Sequence, residues 1–144
     1  MHSNRSIPPS QVIPELAYPD VAAASDWLCK AFGFSPRLRI ANHRVQLTYG
    51  GGAVIIVNGD DVDAEAAARA THSVLVRVDN ADAHYERARA AGAKIASPPT
   101  TYPFGERQYS AHDLYGHRWT FSQSVADVDP RDWGGSLVVD ADGA

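Results

Sequence analysis

The chain has 144 residues, 44% of them hydrophobic, and carries 13 Lys and Arg against 17 Asp and Glu for a formal charge of −4. That length can bury a core of its own, the acidic balance offers nucleic acid no basic face, and no run of eighteen apolar residues is present to cross a membrane. The single cysteine, Cys29, excludes an intrachain disulfide and reads as a small hydrophobe within a helix.

Residues 1–10 are polar, end near Pro8-Pro9, and are expected to form a flexible arm. They hold no apolar signal core, so a cytoplasmic location is the expectation. A strand is predicted from Val12 to Tyr18, with Pro14 arguing for a sheet edge because it lacks a donor. Asp20 then supplies a helix N-cap, Val21, Ala24, Trp27, Leu28 and Ala31 form one apolar stripe, and Gly33 closes the helix. Strands follow at about 36–42, 44–49 and 53–58, the last continuously apolar and therefore central in its sheet. Residues 59–70 are an acidic linker, without the glycine-centred pattern of a calcium loop.

The unit then restarts. His72 to Val78 reads as a strand, Asp79-Asn80 as the cap, and Ala83, Ala88 and Ala91 as a helical stripe ended by Gly92. The entry and exit signals both recur at an interval of fifty-nine residues, which sets Ile13 opposite His72. A short strand at 93–96 should stop at Ser97-Pro98-Pro99. Two strands follow at Glu106–His112 and His117–Ser122, joined by Asp113-Leu114-Tyr115-Gly116, and Ile55 overlays Thr120. The fold class is therefore α+β: paired βαβββ modules, residues 11–58 and 71–124, forming a curved, mostly antiparallel sheet around a cleft. Residues 125–144 form a C-terminal tail, in which Trp133 is placed to dock on the body or on a partner.

This order, with Tyr102-Pro103-Phe104-Gly105-Glu106-Arg107-Gln108-Tyr109 and then Asp113-Leu114-Tyr115-Gly116-His117-Arg118-Trp119, resembles the glyoxalase, bleomycin-resistance and extradiol-dioxygenase superfamily over about residues 11–124. The resemblance implies four metal-ligand positions, one on the first and one on the last strand of each half. Here they fall on Ile13, Ile55, His72 and Thr120, of which only His72 is a strong donor. No metal and no cofactor are therefore expected, and catalytic residues stay unassigned. A shifted register could still pair His72 with Glu15 and a third donor.

Strand alternation sets Val74 and Val76 on the His72 face, with Glu15 and Ala17, Ala53 and Val57, and Arg118, Thr120 and Ser122 on the neighbouring strands. Arg107 and Tyr109 are expected at the cleft mouth, Tyr102 and Phe104 on a flap, and Trp119 and Phe121 against the helices. The candidate ligand-binding residues are thus His72, Glu15, Arg107, Tyr109, Arg118, Thr120, Tyr102 and Phe104. By resemblance the chain binds or sequesters a small organic ligand as a homodimer, with no nucleic-acid or membrane partner. The alternatives are a divalent-metal-dependent lyase, isomerase or dioxygenase, and a dimer whose cleft has no natural ligand.

Overall fold

The computed structural model describes residues 4–59 and 72–137. The linker assigned to 59–70 falls outside them apart from Gly59, as do residues 138–144 of the tail. Two βαβββ modules are present. The first comprises β1 (Glu15–Tyr18), α1 (Val21–Phe32), β2 (Ser35–Ile40), β3 (Arg44–Tyr49) and β4 (Gly52–Asn58). The second comprises β5 (Val74–Arg77), α2 (Ala81–Ala90), β6 (Lys94–Thr101), β7 (Glu106–His112) and β8 (Arg118–Ser124), and a 3₁₀ turn at Pro130–Trp133 follows.

Each module closes its own four-stranded sheet, ordered β1-β4-β3-β2 and β5-β8-β7-β6. Among the described residues no strand pair joins the two sheets. In both, the strand before the helix pairs parallel with the last strand, and the other pairings are antiparallel. The apolar run of β4 is central, as its composition requires, and Pro14 lies at the edge strand, where its carbonyl accepts from Ile55 N.

Alternation gives each sheet one face against the helices and one open face. Leu16, Tyr18, Val45, Leu47, Val54 and Ile56 of the first sheet and Tyr109, Ala111, Trp119 and Phe121 of the second enter one buried cluster with both helices. The helices touch directly. Trp27 Nε1 donates to Ala91 O at 2.9 Å, and Arg87 donates to the carbonyls of Lys30 and Cys29 at 2.8 and 3.2 Å, a cation on the carbonyl end of α1. The two modules therefore share a single core built around their helices, and the open faces point away from it.

Two expectations are corrected. The cap of α2 is Asn80, whose side chain accepts from Ala83 N as that of Asp20 accepts from Ala23 N. Helix entry thus recurs after sixty residues, and only the exits, Gly33 and Gly92, keep the shorter interval because α2 is shorter. Second, β6 does not stop at Pro98-Pro99: it continues to Thr101 with two register shifts, which the prolines can do on an edge strand. The described part of the arm makes contacts with the first module. Gln46 Nε2 donates to Ser6 O at 2.8 Å, Arg37 Nη2 to Arg5 O at 3.1 Å and Ser10 Oγ to Gly51 O at 3.0 Å, so the arm lies over the open face of the first sheet.

Candidate functional site

The register of the strands decides which side chains can meet. Glu15 pairs with Ile55 and Leu75 with Thr120, so the centres of the two open faces hold one carboxylate, two aliphatic side chains and one hydroxyl. Glu15 is already bound to Arg44 at 2.7 Å. With helix entry displaced by one, Ile13 corresponds to Ser73, and His72 shares with Val74 and Val76 the face that packs on the core, the side of Trp119 and not of Thr120. A one-residue slip moves a side chain to the opposite face of a sheet. His72 is therefore not on the Thr120 face, and its pairing with Glu15 in one site is corrected.

Arg107 and Tyr109 also lie away from the open face. Arg107 makes a bidentate pair with Asp82 of α2, both contacts at 2.9 Å, and donates to Thr101 Oγ1 at 3.0 Å. Those guanidinium hydrogen bonds hold the Asp82 carboxyl below the usual range. Tyr109 pairs with Phe121 across the hairpin and so shares its helix-facing side, where it is fully buried. Trp119 and Phe121 pack against the helices as alternation predicts.

The open face of the second sheet carries Arg118, Thr120 and Ser122 beside Glu106, Gln108 and Ser110. Thr120 meets Ser110 at 2.8 Å, and Ser122 Oγ accepts from Gln108 at 3.0 Å and donates to Glu106 at 2.7 Å. Hydrogen bonds from Ser124 and Ser122, with Arg77 nearby, pull the Glu106 carboxyl down. At this end of the sheet Tyr102 and Phe104 stack at 5.4 Å, and Trp133 of the tail closes on Phe104 at 5.4 Å. The tail is held there because Gly105 takes a φ of +87° and its carbonyl accepts from Val125 and Ala126; a Cβ would collide with Ala126 O.

A trough of about 600 Å³ opens between the modules, lined by Phe34, Tyr49, Val54, Val76, Arg77 and Asp79 among others. None of the eight residues singled out from the sequence lines it. It runs along the free edge of β5: Val74, Val76 and Val78 face inward, whereas Leu75, 61% exposed, and Arg77 stand between the trough and the hydroxyl-lined face. Arg77 Nη1 donates to Ser124 Oγ at 2.8 Å, which links the trough to the Glu106 end of the sheet. Burial, and then the charge of Asp79, push the Tyr49 hydroxyl up, so it remains a donor at neutral pH. Arg77 and Phe34 were legible only as sheet and loop residues, because nothing local in the sequence marks a gap between modules.

Behind the trough, His84 Nε2 donates to Phe32 O at 2.8 Å and Nδ1 accepts from the Tyr109 hydroxyl. A carbonyl only accepts, which fixes this tautomer. Burial, with Arg87 nearby, holds the His84 imidazole below its usual range despite the Phe32 carbonyl, and burial pushes the Tyr109 phenol up. A depressed histidine means that the unfolded chain takes up the proton first. Stability from this group is complete above about pH 6.5 and falls as the pH drops below that value, by at most ~1.4 kcal/mol per pH unit. Urea unfolding between pH 5.5 and 7.5 should show a steeper acid loss for the parent chain than for His84→Gln; equal slopes would refute the assignment.

Among the described residues no group of three or more His, Cys, Asp or Glu could hold a metal ion. Burial raises the Cys29 thiol, which lies half-buried against the core as expected of a hydrophobe. No described helix is long and apolar enough to cross a membrane.

The architecture has close counterparts. TioX from Micromonospora sp. ML1 is 35% identical, with 80% of this chain and 98% of that one covered at a TM-score of 0.66. A glyoxalase/bleomycin resistance protein/dioxygenase from Nocardioides is 20% identical over 90% of each chain, with a TM-score of 0.60, and shares the fold. The fosfomycin resistance protein FosX of Listeria monocytogenes, 17% identical over 85% of this chain and 94% of its own, also shares the fold, with a TM-score of 0.64. An uncharacterized protein of Mycobacterium bovis is 26% identical over 130 residues, covering 80% of this chain and 84% of its own. The sequence model of the Glyoxalase/Bleomycin resistance protein/Dioxygenase superfamily matches residues 11–121, and with two βαβββ modules in the expected order the chain belongs to that superfamily.

Proposed function

We propose that the chain binds a small, partly aromatic organic molecule, an antibiotic or a metabolite, and sequesters it without metal-assisted turnover. The observation that carries this reading is the inter-module trough, whose volume and largely apolar lining suit such a ligand. Phe34 and Tyr49, with ring centroids 5.5 Å apart, offer aromatic surface, and Tyr49, Arg77 and Asp79 offer the few polar groups that orient a guest. The centres of the open faces offer one carboxylate, Glu15, which is paired with Arg44, and not the several strong donors that metal-assisted chemistry requires. A second copy of the chain is the partner of this reading: the exposed Leu75 and the free edge of β5 are surfaces that a homodimer would cover.

The test is a thermal-shift panel of aromatic acids, amides and antibiotics. A ligand at a hundred times its Kd adds ~2.7 kcal/mol to folded-state stability. A stabilising compound should lose its effect in Leu75→Trp, which crowds the trough from an exposed position, and keep it in the presence of a chelator. A compound that stabilises only with added Mn²⁺ or Ni²⁺ and is consumed would replace sequestration with a metal-dependent lyase, isomerase or dioxygenase.

A further inference from the structure

Two imidazoles meet where β5 and β8 begin. Val74 pairs with Trp119, and extending that parallel register by two residues brings His72 beside His117 on the same face. Their ring centroids are 6.2 Å apart. His72 is exposed, whereas His117 is only 7% exposed.

The His117 ring is fixed on several sides. Its Nε2 lies 2.9 Å from Ala17 O on the free edge of β1, and the Tyr18 ring packs against it at 4.7 Å. Its backbone N–H is tied to Asp113 Oδ1 at 3.0 Å. Because a carbonyl only accepts, Nε2 carries the proton and Nδ1 presents a bare lone pair. That Nδ1 is buried and has no hydrogen-bond partner among the described residues. An unpaired buried acceptor costs free energy unless something fills it, and an imidazole whose other nitrogen is anchored on a carbonyl is the arrangement that orients a histidine toward a metal.

We infer that His72 and His117 form a two-imidazole site for a zinc-type divalent ion. Metal–nitrogen distances of about 2.0–2.1 Å place the centroids of two rings on one ion about 5–6 Å apart, close to the 6.2 Å between these two rings. Imidazole nitrogen suits zinc, copper and nickel and not calcium or magnesium. Two neutral donors leave the remaining positions to water or to a donor brought from outside. The site lies on the core side of its sheet, opposite the open face that carries Thr120, the last-strand ligand position of its module. The ion would clip the start of β5 to the β7–β8 hairpin, which already holds β1 through Ala17, so it acts across both modules.

Titration of the full chain, free of any affinity tag, with Zn²⁺ by calorimetry and by long-range proton–nitrogen spectra of the imidazoles tests this. One ion per chain should bind, shifting the ring signals of His72 and His117 and leaving those of His43, His84 and His112 in place. His72→Ala, at an exposed position, should weaken binding at least tenfold with an unchanged metal-free melting temperature, and His72→Cys should restore binding. Unmoved His117 signals at saturating Zn²⁺, or equal affinity in His72→Ala, would overturn the site.

Discussion

Replacing Asp113 with alanine should cost the fold ~3–5 kcal/mol, a large share of the stability of any domain this size. Asp113 opens the β7–β8 turn and is 3% exposed. One carboxylate oxygen accepts from the backbone N–H groups of Tyr115 and His117, each at 3.0 Å. The other accepts from the Tyr18 hydroxyl at 2.6 Å and Trp119 Nε1 at 3.0 Å. A buried charge is tolerable only when its lone pairs are filled, and here both oxygens are. Alanine would strand a phenol and an indole N–H inside the core, beyond the loss of the turn. Tyr18 belongs to the first module and Asp113 to the second, so the same change loosens the contact between them. Burial, and then the charge of Asp113, push the Tyr18 phenol well above its ordinary range, which keeps it a donor. Tyr18→Phe removes one of the four bonds and should cost only ~1–2 kcal/mol. Urea denaturation at pH 7 measures both, and a loss below ~1 kcal/mol for Asp113→Ala would show that the cluster is not holding the modules together.

The fold was legible because each level of the sequence says the same thing. Val21, Ala24, Leu28 and Ala31 recur at helical spacing and are all buried, and the uninterrupted apolar run of β4 takes a central place. What periodicity cannot resolve is a single residue. Asp79 and Asn80 are both competent caps, and nothing in their chemistry says which one accepts the helix amide. The choice of Asn80 sets the parity of β5, and with it the face on which His72 lies.

The site was less legible for the same reason. Tyr109 was separable from the open face in principle, since the Asp113–Gly116 turn fixes His112 opposite Arg118, and counting back from there pairs Tyr109 with the apolar Phe121. Arg107 needed more, because its partner Asp82 comes from a helix whose approach only the tertiary structure reveals. The trough is a property of how two modules meet, and no single segment carries its signature. Trp133 could be named as a docking residue, but its contact with Phe104 depends on a tail path set by Gly105.

Truncating Phe32 to alanine should remove ~3–5 kcal/mol, comparable with the loss at Asp113 but by a different route. Phe32 is the last residue of α1 and is completely buried. Its ring meets Phe121 at 4.8 Å, Trp27 at 5.1 Å and Trp119 at 5.4 Å, so a side chain of the first module fills the aromatic face of the second. All three neighbours are held in place, because Trp27 and Trp119 are tied through their indoles to Ala91 O and Asp113, and Phe121 lies against Tyr109 at 5.1 Å. A cavity that cannot relax carries its full cost. The backbone carbonyl of Phe32 still accepts from His84, so the polar lock should survive while the apolar one fails. Calorimetry should therefore show a lowered melting temperature for Phe32→Ala with the His84-dependent acid slope retained, and Phe32→Leu should recover more than half of the loss. An unchanged melting temperature would mean that the two modules are held by their polar contacts alone.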